Sequence, residues 1–295
     1  MALTKVGVEL NDEQKQKVIA VPHLLYRQHP VYFNTFGSDV FRLAVCRYIA
    51  CLSQAEFAVS DSQKQSLCEI LDSTVDRKEE KLQQDGSVAY GAFLKYHGID
   101  ENHLGKLLDK VHPSGDVVAR RGYALVLGRM PVSLLSPDTA RQAVDALCEA
   151  ATLVPESAQN DTEARRNAVV GLTLLFGSFD MNSFPKLISP SLFRHAFTTL
   201  IQGLCDYSSD SRGDVGSWVR EACIEASRVL IKLANGMNDY FDDDLCSALI
   251  GKVIQQSVEK IDRIRQCAGD FLHWVIHADV SHIRGRSELQ KALPK

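Results

Sequence analysis

Four segments of this 295-residue chain repeat one pattern, an arginine followed by small and apolar residues at helical spacing. They are Val118-Ala119-Arg120-Arg121-Gly122-Tyr123-Ala124, Glu163-Ala164-Arg165-Arg166-Asn167-Ala168-Val169, Trp218-Val219-Arg220-Glu221-Ala222 and Arg263-Ile264-Arg265-Gln266-Cys267-Ala268. With Arg121, Arg166, Arg220 and Arg265 as the matched positions, the separations are 45, 54 and 45 residues. Asp116, Asp161 and Asp214 precede the first three by five or six positions. Such a period means that each unit is a small structure whose apolar face is buried only when neighbours stack on it. Local spacing identifies the unit as helical. Between Asp214 and Ile231 the apolar residues are Val215, Trp218, Val219, Ala222, Ala226, Val229 and Leu230, at intervals that line one helix face. Ile261, Ile264, Ala268, Phe271, Leu272 and Val275 repeat the pattern. Glycine and proline supply only 18 and 9 residues, and hairpin dipeptides are scarce. The expected class is all-α.

A period of about forty to forty-seven residues, with Asp and Arg around the start of a second helix, resembles HEAT repeats. The predicted fold is therefore a HEAT/armadillo-like α-solenoid of stacked helix pairs, roughly five to six of them at this repeat length. The 54-residue interval calls for an insertion, and the polar stretch Asp206–Gly213 supplies a loop. Upstream, Ser38–Ala44 opens a helix of the same style, and Arg42 lies 79 residues before Arg121, about two repeats. This reading divides the chain into a loose segment 1–16, irregular helical repeats over 17–115 and HEAT-like repeats over 116–295. The charged run Asp76–Asp85 reads as a solvated helix face.

Charge narrows the function. Lys and Arg number 33 against 37 Asp and Glu, a net −4, so no basic excess exists to neutralise nucleic-acid phosphates. No stretch approaches eighteen consecutive apolar residues, as a membrane-spanning helix requires, and Glu9, Asp12 and Glu13 precede any apolar run suited to a signal peptide. The expectation is a soluble, intracellular chain. Its eight cysteines form no C-x-x-C pair and mostly sit among apolar helical residues, so they read as reduced core residues. His273 and His277 have a metal-compatible spacing, but the sequence between them is Trp-Val-Ile and no further ligand set lies near. Asp242, Asp243 and Asp244 read as acid at a helix N-terminus. Neither a P-loop nor a G-x-S-x-G motif occurs. No cofactor, metal or enzymatic activity of its own is expected.

The segment Asp206–Ile231, with Gln255–Arg265, His282–Lys291, Ala119–Gly128 and Glu163–Arg166 in matching order, resembles the tubulin-folding cofactor D family. The likeness is strongest from about residue 116 onward, and Asp210-Ser-Arg-Gly-Asp-Val-Gly-Ser-Trp-Val-Arg220 is more specific than repeat grammar alone. The family is a HEAT-type solenoid several times longer than this chain. The resemblance implies a chaperone that binds β-tubulin and assembles or disassembles the α/β heterodimer, working in the cytoplasm beside the cytoskeleton. It also implies other tubulin-folding cofactors and an Arf-like small GTPase as partners. Alternatives are a GTPase activator acting on tubulin or on that GTPase, and a generic HEAT adaptor. Arg121, Arg166, Arg220 and Arg265 could serve as arginine fingers, but their recurrence favours a structural ladder paired with acids such as Asp116 and Asp161. Asp210, Arg212 and Asp214, in a polar loop, are the candidate partner-binding residues, with Arg212 as the contacting side chain. Asp214 also suits a helix cap, and Trp218 reads as core.

Overall fold

The computed structural model describes residues 10–28, 38–55, 59–154, 160–278, 280, 282–283, 286–292 and 294. Helices begin where the sequence supplies a cap. Ser60 forms a reciprocal capping box with Gln63 and opens α3, while Asp100, Asp116, Ser136, Asp161, Ser189 and Asp242 each accept a first-turn backbone N–H. Pro137 and Pro190 occupy first helical positions, where the missing N–H costs nothing. The helices are α1 (Asp12–Gln28), α2 (Ser38–Gln54), α3 (Asp61–Val75), α4 (Glu80–His97), α5 (Glu101–Val111), α6 (Val117–Gly128), α7 (Pro137–Ala151), α8 (Thr162–Gly177), α9 (Pro190–Gly203), α10 (Gly216–Ala234), α11 (Asp243–Gln256), α12 (Asp262–His277) and α13 (Arg286–Ala292). A one-turn helix, Phe184–Leu187, lies between α8 and α9. The only strands among the described residues are β1 (Ser209–Asp210) and β2 (Gly213–Asp214), an antiparallel hairpin between α9 and α10.

The even-numbered helices touch in order from α2 to α12, and each odd-numbered helix from α1 to α11 packs on the even one that follows. This is the expected all-α solenoid, with six stacked pairs among the described residues. One core runs its length, from Ile19 and Ile49 through Leu172 and Phe176 to Phe271 and Val275. Phe176, Phe184, Phe193 and Phe197 join Tyr240 and Phe241 in edge-on and tilted contacts that stitch α8, α9 and the α10–α11 connection together. Absent side chains draw α6 tight against α3 in the odd row and against α8 in the even row. A Cβ on Gly122 would lie 2.1 Å from the Val75 carbonyl oxygen, and one on Gly128 would lie 2.5 Å from the Gly171 Cα. Backbone therefore meets backbone across α6 and α8, and α6 sinks between its neighbours.

Several expectations change in detail. Of the segment 1–16 read as loose, residues 1–9 lie outside the described residues, and α1 is helical from Asp12. Residues 17–115, read as irregular, continue the alternation of rows through α1 to α5. Asp76–Asp85 is not one helix face: residues 76–79 form the turn between α3 and α4, and Leu82 and Gln83 are buried. The eight cysteines are free, yet Cys51 and Cys205 are exposed rather than in the core. The extra length between Arg166 and Arg220 is shared by the Phe184–Leu187 turn and the hairpin. Among the described residues no helix is long and apolar enough to cross a membrane.

Candidate protein-binding edge and groove

The fourth or fifth residue of each even helix forms a rung near one edge of the stack. Arg42 in α2 donates to the Ser73 carbonyl (3.0 Å) and hydroxyl (3.2 Å). Gln83 takes the place in α4, donating to the Arg77 carbonyl at 2.6 Å. Arg120 is buried in α6. Arg165 in α8 donates to Asp206 Oδ2 (2.8 Å) and Ser208 Oγ (2.9 Å), with both charged side chains almost fully buried. Arg220 in α10 has no exposed surface: it reaches Gln256 Oε1 (2.9 Å), the Asp206 carbonyl (2.6 Å) and both oxygens of Asp214 (3.2 and 2.9 Å), beneath the Tyr207 ring at 4.3 Å. Arg265 holds the same place in α12 but is exposed, donating to the Glu259 and Lys260 carbonyls and pairing with Asp262.

The expected ladder is thus displaced by one residue in two rungs. The buried members of the twin arginines are Arg120 and Arg165; Arg121 and Arg166, one residue on and about 100° around the helix, face outward. Arg121 pairs with Asp161 (2.6 Å), the cap of the next even helix, and with Glu163. Arg166 reaches back to Glu80 at 2.7 Å, two even helices away. Asp116 caps α6, accepting from Val118 and Ala119, and Asp161 likewise accepts from Ala164. Burial alone would raise the Asp206 carboxyl, but hydrogen bonds from Arg165 and Ser208 hold it below the usual carboxylate range.

The hairpin stands at the mouth of a groove. Gly213, at φ 102°, closes its turn in a conformation side chains disfavour. A Cβ on Gly216 would strike the Asp206 carbonyl at 2.4 Å, so the hairpin base lies flush on α10. Arg212 at the tip donates to Asp210 (2.7 and 3.0 Å) and Glu163 (2.7 Å), and stacks 4.8 Å over Trp218 while half exposed. Those hydrogen bonds hold the Asp210 carboxyl below its ordinary value and raise that of the Arg212 guanidinium. Asp214 accepts from the Ser217 N–H (3.1 Å) as well as from Arg220, so it both caps α10 and anchors a rung. Trp218, expected in the core, is half-buried and lines the groove instead.

The groove encloses about 370 Å³ between Lys78, Glu80, Arg121, Glu163, Trp218 and Arg263. Sharing Arg166 and Asn167 with it, a further 230 Å³ runs over Val88, Leu125, Val170 and Leu174. Sequence reasoning missed Arg165, Glu163, Tyr207 and Gln256; for Arg165 the signal was present, since it precedes buried Ala168 and Leu172 by three and seven residues on one face of α8. The rings of His273 and His277 lie 4.5 Å apart, tilted at 48°, and no group of three metal-binding side chains occurs among the described residues. Asp242 caps α11, accepting from Leu245 at 2.9 Å.

Residues 247–295 match the family model described as tubulin folding cofactor D C terminal. A Dictyostelium discoideum protein named tubulin-specific chaperone D is 26% identical over a 269-residue alignment covering 76% of this chain and 18% of that protein. A Schizosaccharomyces pombe protein named tubulin-folding cofactor D is 24% identical over 200 residues, 68% of this chain and 17% of its own length. The chain therefore spans less than a fifth of either relative. No solved structure matches it significantly. The resemblance carried by the repeat helices and the hairpin holds: this chain is similar over most of its length to one stretch of the tubulin-folding cofactor D proteins.

Proposed function

We propose that this chain is a rigid binding scaffold in tubulin folding, meeting β-tubulin through the hairpin edge and the groove and so serving assembly of the α/β heterodimer. The observation that carries this reading is the mouth of the groove, where Arg212 is held by Asp210, Glu163 and Trp218 yet half exposed. A preordered polar tip on a stiff stack gives up little freedom when a protein docks on it, and the relatives' names point to tubulin as that protein. Other tubulin-folding cofactors and an Arf-like small GTPase complete the partner set, and the cytoplasm, beside the cytoskeleton, is the place of action. The chain acts by binding, without chemistry of its own. A GTPase-activating arginine would have to leave its carboxylates to reach a nucleotide, and Arg212 is engaged by two.

The test is capture of purified tubulin by the immobilised chain. Retention of tubulin, weakened by Arg212→Glu at unchanged melting temperature, supports the reading; no retention by the folded chain overturns it. A GTP-turnover assay with and without the chain separates scaffold from activator.

A further inference from the structure

The groove's own charges do not cancel. Its carboxylates are all engaged: Glu80 with Arg166 (2.7 Å), Glu163 with Arg121 and Arg212, Glu221 with Arg263 (3.2 Å) and Asp85 with Lys81 (2.7 Å). Two cations are left over. Lys78 lines the polar part and Arg129 the apolar part, and among the described residues no carboxylate comes within ion-pairing distance of either. Arg129 is half-buried at the C-terminal end of α6, with its Nε donating to Ser87 Oγ at 3.0 Å. A partly desolvated guanidinium that feels the charge of Asp85, a carboxylate itself paired with Lys81 and Arg47, favours an incoming carboxylate. Between the two cations lies an aliphatic floor of Val88, Leu125, Val170 and Leu174, with Val88 48% exposed.

We infer that this groove is a docking site for an acidic segment of a partner polypeptide that carries aliphatic side chains among its carboxylates. The aliphatic residue seats on the Val88–Leu125–Val170–Leu174 floor, and carboxylates to either side meet Arg129 and Lys78. This deepens the scaffold reading by naming the chemistry the groove accepts, and it stands on the groove's own charges rather than on tubulin.

The probe is a fluorescein-labelled dodecapeptide, (Glu-Glu-Leu)4, titrated with the full 295-residue chain and followed by fluorescence anisotropy. The expected result is saturable binding at least tenfold tighter than that of (Glu-Glu-Ser)4. Arg129→Glu should weaken it at least tenfold, and Arg141→Glu, on the exposed face of α7, should leave it unchanged. If Arg129→Glu does not fold, Lys78→Glu, at an exposed position, carries the same expectation. The inference is overturned if (Glu-Glu-Leu)4 does not bind, if folded groove variants bind it as the wild type does, or if an oligouridylate of equal length competes equally, which would show a generic anion patch. Tubulin capture without peptide binding would sink the groove and leave the scaffold standing; peptide binding without tubulin capture would do the reverse.

Discussion

Arg220→Ala should be among the most damaging single changes in the molecule. The guanidinium has no exposed surface and makes hydrogen bonds of 2.6–3.2 Å to Gln256, to the Asp206 carbonyl and to Asp214. Truncation strips the buried Gln256 Oε1 of this donor and leaves the Asp214 carboxylate with only the Ser217 N–H (3.1 Å) of those bonds. Breaking a buried ion pair from one side costs about 3–5 kcal/mol. At roughly 2–4 °C per kcal/mol for a chain of this size, the melting temperature should fall by about 10 °C. Arg265→Ala tests whether register or burial sets the cost. It holds the same place in its helix, but its side chain is 42% exposed and its carboxylate partner faces water, so less than about 1 kcal/mol is at stake. Because a share of the Arg220 penalty is the lost partner of the Asp214 carboxylate, which is 29% exposed, Arg220→Ala with Asp214→Asn should recover a minor part of the loss. Thermal melts by circular dichroism read all three variants. Equal losses for Arg220→Ala and Arg265→Ala, or no recovery in the double variant, would refute the reasoning.

Arg212→Ala removes contacts at the hairpin tip and should leave the melting temperature nearly unchanged while weakening partner capture; an early melt without a binding defect would reverse those roles. Gly128→Ala should cost about 1–3 kcal/mol by overpacking, because its Cβ would meet the Gly171 backbone at 2.5 Å. Gly105→Ala, a helical position with open space around it, should instead gain about 0.5–1 kcal/mol; chemical denaturation measures both, and the opposite order would contradict the packing. Asp206 has its carboxyl held below the ordinary value, so its contribution is complete above the unfolded value near pH 4 and is lost as pH falls through the folded one. Asp206→Asn should therefore melt earlier at neutral pH and lose stability less steeply in acid than the wild type; parallel acid limbs would count against it. A thiol reagent should modify exposed Cys51 and Cys205 first. Cys46 and Cys148, whose thiols burial pushes up to about 11 and about 12, should react only on unfolding.

The stacked-helix architecture was legible because three- and four-residue spacing and a recurring arginine are local signals that survive in one sequence. The register of the rungs was harder to read. Arg120-Arg121 and Arg165-Arg166 offer two candidates each, and on α6 both are followed three and four residues on by buried positions, Tyr123 and Ala124 after Arg120, Ala124 and Leu125 after Arg121. On α8, by contrast, Arg166 shares its face with the half-buried Val170 and Leu174, while Arg165 shares its own with Ala168 and Leu172. The α4 rung was hidden because Gln83 replaces the arginine there, which made the first third look irregular. Pairings such as Arg165 with Asp206 and Arg166 with Glu80 join residues 41 and 86 positions apart. No local pattern encodes them, so the groove they frame could not be read from the chain alone. Trp218 fell within the apolar intervals of its helix, yet those intervals wrap far enough round α10 to include the half-buried face that Arg212 covers.

The tight even row has a mechanical consequence. Where α6 and α8 meet backbone to backbone, and rungs such as Arg165–Asp206 clamp one repeat to the next, successive units cannot slide past each other without breaking buried bonds. Along the odd-numbered layer the cross-helix ion pair is more exposed: Arg194 on α9 reaches Asp242, the cap of α11, with both side chains partly open to solvent. The stack therefore behaves like a bound volume with its spine along the even helices: a load applied by a large cargo fans the outer layer open while the spacing along the spine stays fixed. Surface features mounted on that spine, the Arg212 tip among them, keep their separations under such bending and act as a ruler of constant pitch.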